Sequence, residues 1–266
     1  MNKIIGIIGC GNMSQAMIRG IVESKVVLDK NIYVSDTNKE VLTKIQELYG
    51  INVSTDNKKI AQESDILIFA VKPNILEKII LEIKDYLKKD VVIVSIAAGK
   101  SIQCIQSILK EDTKIIRTMP NSGVQVGEGM TIICNNDMVN DDDLTNVVGL
   151  FNSFGKTDFL EEKYFDAVTA ISGSSPACIY ILLEALADAA VRAGIPRQKA
   201  YKMVAQTVLG SAKTLLETSK HPGELKDMVC SPGGTSIEAV YKLEKGAFRA
   251  SVFDAMEAAE KKSKSL

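Results

Sequence analysis

Six residues near the amino terminus, Gly9-Cys10-Gly11-Asn12-Met13-Ser14, have the types and spacing to hold a phosphate. They directly follow an apolar run ending at Ile8 and directly precede a helical pattern from Gln15 to Val22. In such a strand–turn–helix the first glycine permits the tight turn, and the second lets backbone approach a pyrophosphate at the positive helix end. The third glycine of the usual fingerprint is Ser14 here. A Gly-x-Gly pair alone also fits a plain strand–turn–helix. The context that favours a dinucleotide is a second strand ending at Ser35-Asp36, at the spacing of a βαβ unit. A carboxylate at Asp36 would accept a hydrogen bond from a ribose 2′-hydroxyl and repel a 2′-phosphate, which favours NADH; its alternative is a solvated loop acid. Ser35, Thr37 and Lys39 are available to a phosphate and favour NADPH. Both coenzymes stay open.

Groups for strong acid–base chemistry are scarce. The single histidine, His221, lies in a His-Pro-Gly turn and reads as a loop residue. Between Tyr164 and Pro196 there is neither Lys nor Asn, the pair that 3-hydroxyacid dehydrogenases place on the first long helix after the nucleotide domain. Lys72, at a strand end before Pro73, suits a cofactor loop better than a Schiff base. Ketone reduction needs a positioned acid. A protonated imine is already electrophilic and needs orientation plus a weak donor, so the shortage points to C=N. The cysteines number five, an odd count, with no Cys-x-x-Cys pair, so neither a disulfide framework nor a metal site is indicated.

These residues need a scaffold. A chain of 266 residues suffices for two domains, and 46% hydrophobic with 24% charged residues is a globular balance. A net charge of −1 gives no reason to expect nucleic acid or an acidic membrane surface as partner. Apolar runs at Lys3–Ile8, Ile32–Val34, Ile66–Ala70, Val91–Ile96, Lys114–Thr118 and Thr131–Cys134 alternate with helical patterns. That alternation predicts an α/β fold with a parallel, doubly covered sheet, a Rossmann domain over 1–160.

From 161 to 266 the strand-like runs give way to alanine-rich helical periodicity, predicting an all-helical domain. Ser175 is the expected N-cap of its first helix, with Pro176 at the first helical position. Gly194 ends that helix and Pro196 opens the next, over 197–217; a last pattern, 236–264, breaks near Lys245-Gly246. On the first helix Glu184, Asp188 and Arg192 recur every fourth residue, leaving an apolar circumference to be buried on most sides. A subunit interface is one reading of that helix, and burial within its own domain the other. Its three charges make it a poor membrane span, and the amino terminus lacks a signal-peptide core, so a cytoplasmic protein is expected.

Asp56 to Lys58, Ala70 to Pro73, Ala97 to Gly99, Asp166 to Ala177, His221 to Asp227 and Ser231 to Ala239 are separated motifs that span nearly the whole chain, and in this order they resemble those of pyrroline-5-carboxylate reductases. Asp166 to Ala177 is similar to that family's Ser-Gly-Ser-x-Pro-Ala motif, and His221 to Asp227 with Ser231 to Ala239 to its signature loop. Asp56-Asn57-Lys58, Ala70-Val71-Lys72-Pro73 and Ala97-Ala98-Gly99 add to the likeness. The family has threonine where this chain has Ser236, with Thr235 just before it.

The resemblance implies that Gly9, Gly11, Asn12 and Met13 hold the pyrophosphate of NADPH or NADH, with Ser35, Asp36 and Asn57 at the adenosine ribose. Ala70, Val71, Lys72 and Pro73, with Ala97, Ala98 and Gly99, would line the nicotinamide half. Met119-Pro120-Asn121 ends another strand at that edge and reads either as a border of the same cleft or as a structural turn. Val229, Ser231, Gly233, Gly234, Thr235 and Ser236 would form the floor for 1-pyrroline-5-carboxylate, backbone N–H groups holding its carboxylate and Ser236 or Thr235 offering the hydroxyl. It also implies a homodimer through the helical domain, open to higher assembly. Two rivals remain: a reductase of another small imine or keto acid, and a nucleotide sensor without chemistry, against which the intact Ser231–Ser236 loop argues.

Overall fold

In the computed structural model, which describes residues 1–265, the apolar runs become a single eight-stranded sheet of order β3-β2-β1-β4-β5-β6-β7-β8. Its strands are β1 (Ile5–Ile8), β2 (Ile32–Ser35), β3 (Asn52–Ser54), β4 (Ile66–Phe69), β5 (Val92–Ser95), β6 (Lys114–Pro120), β7 (Gly129–Asn135) and β8 (Gly155–Phe159). Helices α1 (Asn12–Ser24), α2 (Lys39–Tyr49), α3 (Asn57–Glu63), α4 (Pro73–Ile83), α5 (Ile102–Gln106) and α6 (Asp141–Phe151) connect them. Along each central strand, side chains alternate between two buried clusters. Ile5, Ile7, Ile66, Ile68, Val92 and Val94 enter one, and Ile8, Leu67, Phe69 and Ile93 the other. Both faces are therefore covered, which is why these runs are apolar throughout.

The first six strands are parallel, and β1 lies between β2 and β4. The chain thus reverses direction across the sheet at β1, where ligands bind at the carboxyl ends of open α/β sheets. Two expectations need correction. β7 is antiparallel to β6, and β8 then runs parallel to β7. The reason is reach: the β6–β7 connection, residues 121–128, is too short for the crossover a parallel pair requires. Strands β3 and β8 escaped notice because neither has a buried residue.

By internal contacts the chain forms two units, Met1–Gly173 with the stretch from Ala259, and Ser174–Ala258. Residues just past the compositional change at 160 stay with the sheet because Phe165 and Val168 are buried against Ile132. This segment opens with a 3-10 turn, Glu162–Tyr164, followed by α7 (Phe165–Val168) and a π-helical stretch, Thr169–Ser174, which runs directly into α8 (Ser175–Arg192). Ser175 is therefore the first α8 residue rather than an N-cap, and Pro176 sits inside a continuous helical run. Proline has no N–H and crowds the carbonyl four residues back; the wider π turn relieves both problems.

In the second unit α8 is followed by α9 (Arg197–Thr218), α10 (Pro222–Met228), α11 (Thr235–Lys245) and α12 (Phe248–Ser263), the last extending into the first unit. Helix α10 was expected as a loop, although Pro222 at its first position and Glu224 in its first turn are helix-start signals. Within the single chain only Ala187 of α8 is buried, so of the two readings of this helix the one corrected is burial within its own domain. Tyr180, Ile181, Leu216 and Phe253 stand 66%, 68%, 81% and 76% exposed, and such a surface marks an interaction site. The helical run Glu162–Arg192 is long and apolar enough by composition to cross a membrane.

Candidate active site

At the end of β1 the chain turns at Gly9, whose φ of +100° is foreign to other residues, and a Cβ there would lie 2.5 Å from the Ala70 carbonyl oxygen. The close approach joins the ends of β1 and β4. Gly11 is the N-cap of α1 and has no capping side chain; a Cβ on it would meet nothing within 4 Å. Protein packing does not demand glycine at Gly11. What it leaves is space in front of unsatisfied amides at a helix start, the shape a pyrophosphate needs. Ser14, the departure from the fingerprint, is fully buried in the first turn, and its hydroxyl has no partner among the described residues.

The ribose-side trio is engaged within the chain. Asp36 accepts the Cys10 N–H at 2.7 Å on Oδ2 and the Asn38 N–H at 2.9 Å on Oδ1. The carboxylate thereby fastens the glycine turn to the end of β2, a role that sequence reasoning missed. Ser35 is fully buried and donates to Asn57 Oδ1 at 2.8 Å. Asp36 and Asn57 are both half-exposed, and Asp36 lies at the strand end beside Thr37 and Lys39.

The loops that follow β4 and β5 open at the same carboxyl edge. Lys72 is exposed at the start of α4, with Pro73 at the first helical position. After β5, Ala97 is buried, while Ala98 and Gly99 are half-exposed. At the end of β6, Asn121 donates to Ser172 Oγ at 3.3 Å, and the Met119 methyl lies 3.0 Å from where a Cβ on Gly173 would stand. The strand end expected at the cleft border thus packs on the π-helical turn.

In the second unit the loop after α10 closes with the Gly234 N–H donating to the Ser231 carbonyl at 3.0 Å. Pro232 then occupies the second turn position and Gly233, φ +68°, the third, the arrangement of a type II turn. Gly234 is the N-cap of α11 with no capping side chain, and Thr235 and Ser236 are the first two helical residues. By contrast α2, α3, α5, α6 and α10 are capped by the side chains of Asn38, Asp56, Ser101, Asn140 and His221. His221 is thus occupied, its Nδ1 accepting the Gly223 N–H at 3.0 Å. Neither the Thr235 nor the Ser236 hydroxyl has a hydrogen-bond partner among the described residues, and Ser236 is the less exposed.

Residues 4–99 match a family model described as NADP oxidoreductase, coenzyme F420-dependent, and residues 162–266 match one for pyrroline-5-carboxylate reductase dimerisation. A pyrroline-5-carboxylate reductase of Escherichia coli is 46% identical over 100% of this chain and 99% of its own length. The chain belongs to the pyrroline-5-carboxylate reductase family. An Arabidopsis thaliana member is 41% identical over 98% of this chain and 95% of its own. The crystal structure of Plasmodium falciparum pyrroline carboxylate reductase with NADP bound superposes with a TM-score of 0.90 at 35% identity, covering 99% and 98% of the two chains. The Rossmann and helical parts expected from the sequence are those of this family, and the chain carries its dimerisation segment.

Cys10 is a buried thiol inside the glycine turn. Burial first, and the Asp36 carboxylate second, push Cys10 up to about 11. Burial, then Glu162, with Arg117 opposing, push Cys134 up to about 12. Both stay protonated thiols at neutral pH, and only the thiolate is a nucleophile. Iodoacetamide at pH 8 is expected to leave Cys10 and Cys134 unmodified in the native protein and to alkylate both after unfolding, as read by peptide mass. Because these folded values lie above the ordinary 9.0, the stability they contribute is complete below pH 9 and is lost as pH rises towards 11–12.

Proposed function

We propose that this protein reduces the imine of 1-pyrroline-5-carboxylate to L-proline with NADPH or NADH, the last step of proline synthesis. Likeness to named reductases along the full length supports the reading. The observation that carries it is the pair of helix starts opened by glycine, at Gly11 and Gly234. One suits a pyrophosphate and the other a carboxylate, each held by backbone amides.

A bound NAD(P)H supplies the hydride from its nicotinamide C4. In the coenzyme-binding part, residues 1–160, Gly9, Gly11, Asn12 and Met13 hold the pyrophosphate, and Asp36, with Ser35 and Asn57 behind it, borders the ribose. Ala70, Val71, Lys72 and Pro73, with Ala97, Ala98 and Gly99, line the nicotinamide half. Residues 161–266 form the substrate and dimerisation part. Val229, Ser231, Gly233 and Gly234 shape the loop whose amides take the substrate carboxylate. The Ser236 or Thr235 hydroxyl bonds the ring nitrogen or passes it a proton, and the lower exposure of Ser236 favours that residue. The exposed apolar faces of α8, α9 and α12 lie in the dimerisation segment, so a second copy of the chain, rather than a membrane, covers them. The working form is a cytoplasmic homodimer, with no nucleic-acid partner.

Orientation of two bound reactants provides most of the acceleration. Ser236→Ala or Thr235→Ala is therefore expected to slow turnover by about ten- to a thousandfold. The assay follows NADPH and NADH absorbance with pyrroline-5-carboxylate and identifies proline as product. Native kinetics in both variants would remove the hydroxyl from the mechanism; no proline from the native protein would overturn the reading.

A further inference from the structure

A charge pair outside the proposed contacts, its arginine buried and its glutamate half-exposed, is tied to the coenzyme edge. Arg117 on β6 is 6% exposed; its Nη1 lies 2.9 Å from Glu162 Oε1 and its guanidinium carbon 4.7 Å above the Phe165 ring. The same Glu162 oxygen accepts the N–H of Ile102 at 2.7 Å. Ile102 is the first residue of α5, three residues after Gly99. We infer that Arg117 and Glu162 are positioning residues that set the coenzyme loop between β5 and α5, residues 96–101.

A helix of five residues cannot hold its own start, since nucleation is unfavourable and its first amides lack partners. Ser101 satisfies the Cys104 N–H at 3.1 Å from within the turn, and Glu162 satisfies Ile102 from outside. At its other end the loop is fixed by the Ala97 N–H on Ser95 Oγ at 3.3 Å. Ala97, Ala98 and Gly99 therefore span the gap from a strand end to the Ile102 amide held by Glu162, with Lys100 tied to Glu77 of α4 at 3.3 Å between them. The planar guanidinium, bonded to Glu162 through Nη1 and stacked over Phe165, allows that carboxylate little freedom. A partly buried ion pair is a weak stabiliser compared with apolar packing, so its effect here is geometric. The same strand holds the following helical turns, through Asn121 on Ser172 and Met119 at Gly173, which keeps Glu162 in register with Arg117.

The inference rests on the reductase reading, because the loop matters only where a nicotinamide lies against it. The test uses the full-length enzyme with Glu162→Ala, Glu162→Gln and Arg117→Met. Each is measured for coenzyme affinity by fluorescence without substrate, for kcat and KM, and for the primary isotope effect with coenzyme deuterated at C4. Glu162→Ala is expected to weaken coenzyme binding about tenfold and to enlarge the isotope effect, as a misplaced ring makes transfer slower. Glu162→Gln keeps an oxygen acceptor for Ile102 and is expected to recover most of the loss. A lowered melting temperature with unchanged affinity and isotope effect would reduce the pair to ordinary structure and overturn the inference. If Glu162→Ala fails to fold, Arg117→Met is judged by the same two readouts. If native enzyme binds coenzyme but makes no proline, the reductase reading falls, and the affinity of Glu162→Ala alone decides the positioning role.

Discussion

Gly11→Val is expected to destroy coenzyme binding in a protein of native stability, whereas Gly9→Ala is expected to lower binding and stability together. The two glycines differ in what surrounds them. At Gly9 an added Cβ falls 2.5 Å from the Ala70 carbonyl oxygen, and the φ of +100° disfavours any side chain. Left-handed strain of roughly 1–2 kcal/mol adds to a backbone clash, for a total loss of about 3 kcal/mol or more. In a protein of this size that lowers the melting temperature by roughly 6–12 °C. At Gly11 the φ is an ordinary −75° and the Cβ site is open, so folding is indifferent. The same side chain would stand in front of the first amides of α1 and keep the pyrophosphate out, raising the coenzyme dissociation constant on the order of a hundredfold or more. Fluorescence titration with NADPH and NADH, beside a thermal melt, separates the cases. Native affinity in Gly11→Val would move the pyrophosphate away from α1.

The second large effect concerns assembly. Ile181→Glu on α8 places a carboxylate where the side chain is 68% exposed in the single chain, so the monomer should fold unperturbed. In a two-fold symmetric dimer the same substitution acts twice. Burial of one isoleucine contributes about 1.5–3 kcal/mol, so two copies contribute at least about 3 kcal/mol before desolvation of the new charges. The dimer dissociation constant should rise by more than about a hundredfold, and activity should fall with the dimer fraction. Sedimentation velocity over a concentration series, run beside the proline assay, reads both. A variant that stays dimeric and active would show that this face of α8 is not the contact between subunits.

Much of this was legible in the residues themselves. Strands buried on both faces have no polar side to disguise them, so the runs around Ile5, Ile66 and Val92 announced a covered parallel sheet. Gly9 after β1 announced the turn, because few residue types tolerate that backbone. The motif around Ser231–Ser236 was equally plain, since a type II turn asks for Pro232 and Gly233 in that order. Edge strands β3 and β8 were invisible for the opposite reason: half-buried or exposed, they lack a periodic apolar signal. The reversal of β7 could have been seen in the short connection before it.

By itself, then, the sequence determined which segments become strands and helices and where backbone amides are left open, because those depend on local periodicity and on glycine and proline. Tertiary structure alone decided that Asp36 closes the glycine turn on Cys10, that Glu162 reaches across to Arg117 and Ile102, and that α8 keeps its apolar flank uncovered within one chain. Those facts join residues 26, 45 and 60 positions apart, or depend on what fails to pack, and no local pattern encodes either.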